Sequence, residues 1–198
     1  MGQNDVLGAL SDRFEVALIY ALHLHAQQKR KGTTVPYISH LLAVAALVLE
    51  DGGSEDEAIA ALLHDAIEDQ GGEPTRQEIR RRFGDKVVQI VNGCTDTDET
   101  PKPPWLERKK QYLEHLRGAS REVLRVSTAD KLHNARAVLS DLRRHGNAVW
   151  ERFNGGREGT LWYYRRLVQV FRETGPGYLV EELDRVVSEL ERLAGTIS

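Results

Sequence analysis

The sequence predicts an all-α fold, and three observations carry that prediction. Apolar residues recur at spacings of three and four along most of the chain, as one buried helical face requires. No run alternates apolar with polar residues in the way a half-buried strand would. Capping residues and glycines fall where such helices should begin and end.

The elements follow in chain order. Phe14, Ala17, Leu18, Ala21, Leu22 and His25 outline a first helix, with His25 read as a core histidine with its hydrogen bonds satisfied. "RKGTTVPYISH" turns from a basic pair, Arg30 and Lys31, to His40, which opens the apolar helix Leu41 to Leu49. Gly52 marks its stop, and Ser54 with Glu57 in "SEDE" forms a capping box that starts the next helix. That helix is expected to run on through "AALLHDAIEDQ", residues 60–70. A second capping box, Thr75 with Glu78 in "TRQE", predicts another start, and Gly84 a stop. "TDTDETPKPP", residues 95–104, is the one long irregular loop, a solvated connector or a rim over a site. Gly118, Gly146 and Gly175 close later helices. One carries "TADKLHNAR"; others carry the stripes Leu161, Tyr164, Val168, Phe171 and Leu179, Leu183, Val186, Val187, Leu190, Leu193. Trp162, Tyr163 and Tyr164 read as packing residues.

Composition narrows the function classes. A chain of 198 residues suits a single domain spanning 1–198. With 27 Lys and Arg against 30 Asp and Glu, the net charge of −3 provides no global basic field for nucleic acid, so any bound phosphate must be met by local cations. The single cysteine, Cys94, excludes an internal disulfide and a Cys-based zinc cluster, favours a reducing compartment and reads as a small buried residue near a helix end. The longest apolar run, Leu41 to Leu49, is about half of a bilayer crossing, so no membrane partner is expected. "MGQNDVLGAL" lacks the basic and apolar segments of a signal peptide, and Val6 stands where a myristoylation motif wants Ser or Thr. The expected location is cytoplasmic.

Chemistry concentrates in three segments. His64, Asp65, Glu68 and Asp69 sit within one turn and a half of an otherwise apolar stretch, where unpaired carboxylates would be expensive to bury. A divalent cation answers that cost. Two imidazoles and two carboxylates, His40, His64, Asp65 and Asp130, suit Mn, Fe or Zn, and four protein ligands leave positions for water and a substrate phosphate. Glu68 and Asp69, one turn along, are then placed to move protons during a hydrolysis. His133 is a nearby candidate for a second metal; His23, His115 and His145 fit surface or helix-end roles.

The segments "HAQQKRKGTTVPYISH", "AALLHDAIEDQ", "RRFGDKVVQIVNGCTD" and "VSTADKLHNARAV", in that order over most of the chain, resemble the HD-domain phosphohydrolases. Within them the chain is most similar to stand-alone small alarmone hydrolases of the SpoT-like type, having no room for the synthetase and regulatory domains of the long enzymes. The resemblance implies an all-α HD-domain fold of roughly eight to ten helices around one metal. It implies Mn2+-dependent removal of the 3′-pyrophosphate of (p)ppGpp, yielding GDP or GTP and pyrophosphate. His40, His64, Asp65 and Asp130 match that family's metal ligands, and Glu68 with Asp69 its catalytic acids. Arg30 and Lys31 match the basic pair on the nucleotide, and Asn134 a residue lining its pocket. Leu41, Gln70 and Ser127 depart from the usual proline, threonine and lysine at their positions, and leave the preferred base open. The alternatives are a phosphohydrolase of another nucleotide, such as pApp or NADPH, and a non-catalytic alarmone-binding module.

Overall fold

A 25-residue helix, buried through its middle turns, organises the molecule. The computed structural model describes residues 10–97 and 101–196; the expectations for the first nine residues lie outside these. The described residues form ten α-helices: α1 (Asp12–Leu24), α2 (Ile38–Glu50), α3 (Glu55–Leu63), α4 (Ala66–Asp69), α5 (Glu73–Phe83), α6 (Asp85–Cys94), α7 (Trp105–Arg117), α8 (Arg121–His145), α9 (Gly156–Thr174) and α10 (Tyr178–Thr196). A 3₁₀ helix, Gly146–Arg152, joins α8 to α9. Among the described residues the only β pairing is an isolated bridge between Lys29 and Pro36. The all-α expectation therefore holds. Among the described residues no helix is long and apolar enough to cross a membrane.

Helix α8 packs on α2, α3, α6, α9 and α10, so that its middle turns lie at the centre of the bundle. Helix α3 is its counterpart. It is buried from Glu57 to Leu63, and its capping box forms as expected: Glu57 N–H donates to Ser54 Oγ while Ser54 N–H donates to Glu57 Oε2 at 2.7 Å. Glu57 is itself enclosed, and Arg125 of α8 compensates its charge at 2.5 Å while also reaching Asp51 at 2.9 Å.

Four local expectations are corrected. The helix read through residues 60–70 breaks at His64 and Asp65: α3 ends before them, Asp65 sits at φ −97° and ψ −2°, and α4 resumes at Ala66. Thr75 is not a cap, because Gly71 and Gly72 at positive φ and Pro74 in the first turn start α5 at Glu73. Thr75 Oγ donates back to the Gln70 carbonyl at 2.6 Å, and Glu78 pairs instead with Arg81 and Arg82. Leu22 is exposed, since α1 buries only the narrow face of Ala17 and Ala21 against its neighbours. Cys94 is half-buried rather than enclosed, though its thiol is pushed up to about 11 by desolvation.

Candidate active site

The break between α3 and α4 is what builds the site. By leaving the helix at His64 and Asp65, the chain presents both side chains to the middle of α8 and to the first turn of α2. There His64 Nε2 lies 3.0 Å from Asp65 Oδ2 and 3.6 Å from Asp130 Oδ1. His40 Nε2 lies 3.2 Å from Asp130 Oδ1 and 3.7 Å from Asp65 Oδ2. Ligand atoms of His40, His64 and Asp65 fall within 4.8 Å of one another, a grouping able to hold a metal ion.

The donor set fits a cation on two further grounds. Both Nε2 atoms are buried, neither makes a hydrogen bond of good geometry among the described residues, and each faces the carboxylates. Their other nitrogens are engaged: His64 Nδ1–H donates to the Ala61 carbonyl at 2.8 Å, which leaves its Nε2 lone pair free for a ligand bond.

Neighbouring groups hold the carboxylates in place. Asp65 Oδ2 accepts from the Tyr37 hydroxyl at 2.5 Å, while Asp130 Oδ2 accepts from Lys131 Nζ at 2.6 Å and Asp130 Oδ1 from Asn134 Nδ2. Burial favours the neutral form of Asp130, but the Lys131 ammonium and the two imidazoles outweigh it and keep its carboxyl well below the usual range. Burial likewise opposes charge on His64, yet Asp65 and Asp130 raise its imidazole well above the ordinary value. In His40, desolvation wins and lowers it. The Lys131 ammonium and the His64 imidazolium are thus the counter-charges that keep the two buried carboxylates ionised.

A cleft of about 700 Å³ opens over this cluster, with Asp65 in its wall and His40, His64 and Asp130 buried behind. Glu68, Asp69, Arg30, Lys31 and Asn134 all line it, so every candidate site residue comes to one place. The turn after α1 aims the basic pair. Gly32 adopts φ +72°, and a Cβ there would stand 2.4 Å from Arg152 Cδ. Arg30 Nη2 donates to Asn134 Oδ1 at 2.6 Å and its guanidinium lies 5.6 Å from the Tyr37 ring centroid. Asp69 accepts from Gln28 Nε2 at 2.8 Å, and Gln28 Oε1 in turn accepts from Gln70 Nε2 at 2.6 Å. Partial desolvation and the nearby Asp65 charge raise the Asp69 carboxyl. Glu68 pairs with Lys102 Nζ at 2.8 Å, so the described end of the irregular loop reaches the site as a rim.

Several site residues escaped the sequence reading. Lys102, Arg108 and Lys109 come from the loop and from α7, remote in sequence from the histidines, and Asp96 pairs with the last two. Lys131 and Arg152 also line the cleft, each paired with an acid, Asp130 at 2.6 Å and Asp141 at 2.8 Å. Tyr163 and Tyr164 are packing residues as expected, but they also face the cleft. His25 is only half satisfied: a ring nitrogen meets Gln28 Oε1 at 2.6 Å while its Nε2 has no partner among the described residues. His133 meets His40 rather than the cluster's centre, with Nδ1 to Nδ1 at 2.8 Å. Desolvation, His40 and Arg30 together push the His133 imidazole down to about 4.

Comparison with known proteins agrees with this architecture. The HD domain family model matches residues 17–161. The guanosine-3′,5′-bis(diphosphate) 3′-pyrophosphohydrolase MESH1 of Xenopus tropicalis is 41% identical over 134 residues, 66% of this chain and 70% of that protein. Human MESH1 is 35% identical over 147 residues, 73% of this chain and 77% of its own length. Among solved structures, the metazoan SpoT ortholog described as hydrolysing ppGpp superposes with a TM-score of 0.76 at 27% identity, covering 91% of this chain and 97% of that one. A second structure, lmo0812 from Listeria monocytogenes EGD-e, gives a TM-score of 0.65 at 31% identity, over 79% and 99% of the two chains. The chain belongs to the HD domain family.

Proposed function

We propose that this protein removes the 3′-pyrophosphate of (p)ppGpp, with one divalent ion, Mn2+, held by His40, His64, Asp65 and Asp130. The observation that carries the reading is the pair of buried imidazole Nε2 atoms, neither with a hydrogen bond of good geometry among the described residues, facing two carboxylates at the base of a cation-lined cleft. The 3′-pyrophosphohydrolase activity named for the MESH1 relatives supports the choice of substrate. A divalent ion in the cluster supplies positive charge that favours ionisation of water and offsets charge on a phosphate.

The chain's own groups account for the remaining steps. Arg30 offers a planar donor fork to the base or phosphates, Lys31 a mobile point charge, and Asn134 holds Arg30 in place through its side-chain oxygen. Arg108 and Lys109, which line the cleft beside Asp96, and Lys102, which reaches Glu68, are the further cations offered to the other phosphates. Water attacks the phosphorus bonded to the 3′ oxygen, the phosphorus–oxygen bond to the ribose breaks, and pyrophosphate leaves with the new oxygen. Glu68 and Asp69 take up the water's proton and return one to the ribose oxygen; the raised Asp69 carboxyl suits a group that must both accept and release it. Glu68 pairs with Lys102, and a phosphate that competes for that ammonium would free Glu68 for this work.

The test is pyrophosphate release from ppGpp, and in parallel pApp, by metal-stripped protein with and without Mn2+. Mn2+-dependent pyrophosphate from ppGpp is the expected result. Orthophosphate from another nucleotide, with no pyrophosphate from either alarmone, would overturn the reading.

A further inference from the structure

We propose that His133 is a positioning residue for the metal site: by accepting a hydrogen bond from His40 Nδ1–H, it fixes the ring form in which His40 Nε2 can bind a cation. The inference rests on the proposed metal site and goes beyond it.

The two candidate histidine ligands are anchored differently. Behind His64 stands the Ala61 carbonyl, which can only accept, so His64 Nδ1 must carry the proton. Behind His40 stands another imidazole. The two Nδ1 atoms lie 2.8 Å apart, the ring centroids 4.8 Å apart, and the planes meet at 38°, which is a ring-to-ring hydrogen bond and not a stacked pair. One proton must lie between these nitrogens. If it belongs to His133, His40 carries its own proton on Nε2 and has no lone pair for a cation. If it belongs to His40, Nε2 is a ligand and His133 carries its proton on Nε2 instead.

The surroundings decide between these forms. His40 is fully enclosed, and its Nε2 points at the carboxylates of Asp130 at 3.2 Å and Asp65 at 3.7 Å, the side from which a bound cation would take its lone pair. His133 lines the cleft, where its Nε2–H can be solvated. A cation at the cluster selects the same form, because it competes for the Nε2 lone pair of His40. An imidazole nitrogen is also a stronger base than a peptide carbonyl, so a hydrogen bond to His133 makes His40 a better donor to the ion. His133 therefore does for His40 what the Ala61 carbonyl does for His64. Its place on α8, three residues after Asp130, couples the two candidate ligands through one helix turn.

The experiment titrates metal-stripped protein with Mn2+, following the free-ion signal by electron paramagnetic resonance, for wild type, His133→Phe and His133→Asn. The expected result is binding weakened about 10–100-fold in His133→Phe, which keeps a ring of similar size but no acceptor, and largely restored in His133→Asn, whose side-chain oxygen can accept. Melting in EDTA is expected to change little in either variant. His133→Phe with wild-type affinity would overturn the inference while leaving the metal site intact; wild-type protein that takes up no Mn2+ would refute the site itself. A further measurement needs no variant: in zinc-loaded, ¹⁵N-histidine-labelled protein, a slowly exchanging imino proton on His40 Nδ1 is expected. Its assignment to His133 Nδ1 would overturn the proposal.

Discussion

Replacing Asp65 by asparagine keeps its shape and removes the negative charge that faces both imidazoles. In the native site Asp65 Oδ2 lies 3.0 Å from His64 Nε2 and accepts from Tyr37 at 2.5 Å. An ion that binds only the folded state, supplied at 100 times its dissociation constant, stabilises that state by about 2.7 kcal/mol. For a chain of this size each kcal/mol moves the midpoint about 2–4 °C, so wild-type protein should melt about 5–11 °C higher in that Mn2+ than in EDTA. A roughly 100-fold loss of affinity in Asp65→Asn brings the same Mn2+ concentration down to the variant's own dissociation constant. The stabilisation then shrinks to about 0.4 kcal/mol and the shift to about 1–2 °C. Differential scanning calorimetry of both proteins, each against its own EDTA baseline, measures this directly. A variant that keeps the wild-type shift would refute the ligand role of Asp65.

Three further outcomes separate chemistry from stability. Glu68→Gln should retain the Mn2+-induced shift while pyrophosphate release falls about 10²–10⁴-fold in steady-state assays; a wild-type rate would remove Glu68 from proton transfer. Arg125→Leu leaves Glu57 enclosed without its 2.5 Å partner and should lower stability by about 3–5 kcal/mol in urea titrations, with Mn2+ affinity unchanged because the pair lies away from the site. Leu132→Ala, at a fully buried position between Lys131 and His133, should destabilise by about 2–5 kcal/mol, whereas Leu42→Ala, at a position 44% exposed, should stay within about 0.5 kcal/mol.

The fold was legible wherever one residue type met one physical need. The stripe from Leu179 to Leu193 had to be a helical face turned to the core, with Val186 and Leu193 only partly buried, and Ser54 with Glu57 had to cap, because both depend only on residues within a few positions. Thr75 with Glu78 carried the same local pattern and failed, because Gly71, Gly72 and Pro74 just before it start the helix earlier. The break at His64 was hidden for the opposite reason. Ala60 to Ile67 reads as continuous helix, and it is the convergence of α2, α3 and α8 that draws two polar side chains out of it. The candidate ligands were visible as residue types, yet their common orientation was not. Lys102 and Arg108 acquire their partners only through tertiary folding, so spacing in the chain could not single them out, and His133, visible as a candidate second-metal ligand, gave no sign of its bond to His40.

The most direct test of the central claim is anomalous diffraction at the manganese absorption edge from crystals grown with Mn2+. The account predicts one peak, bounded by His40 Nε2, His64 Nε2 and the carboxylates of Asp65 and Asp130. No peak there, or a peak bound to Glu68 and Asp69 instead, would contradict it.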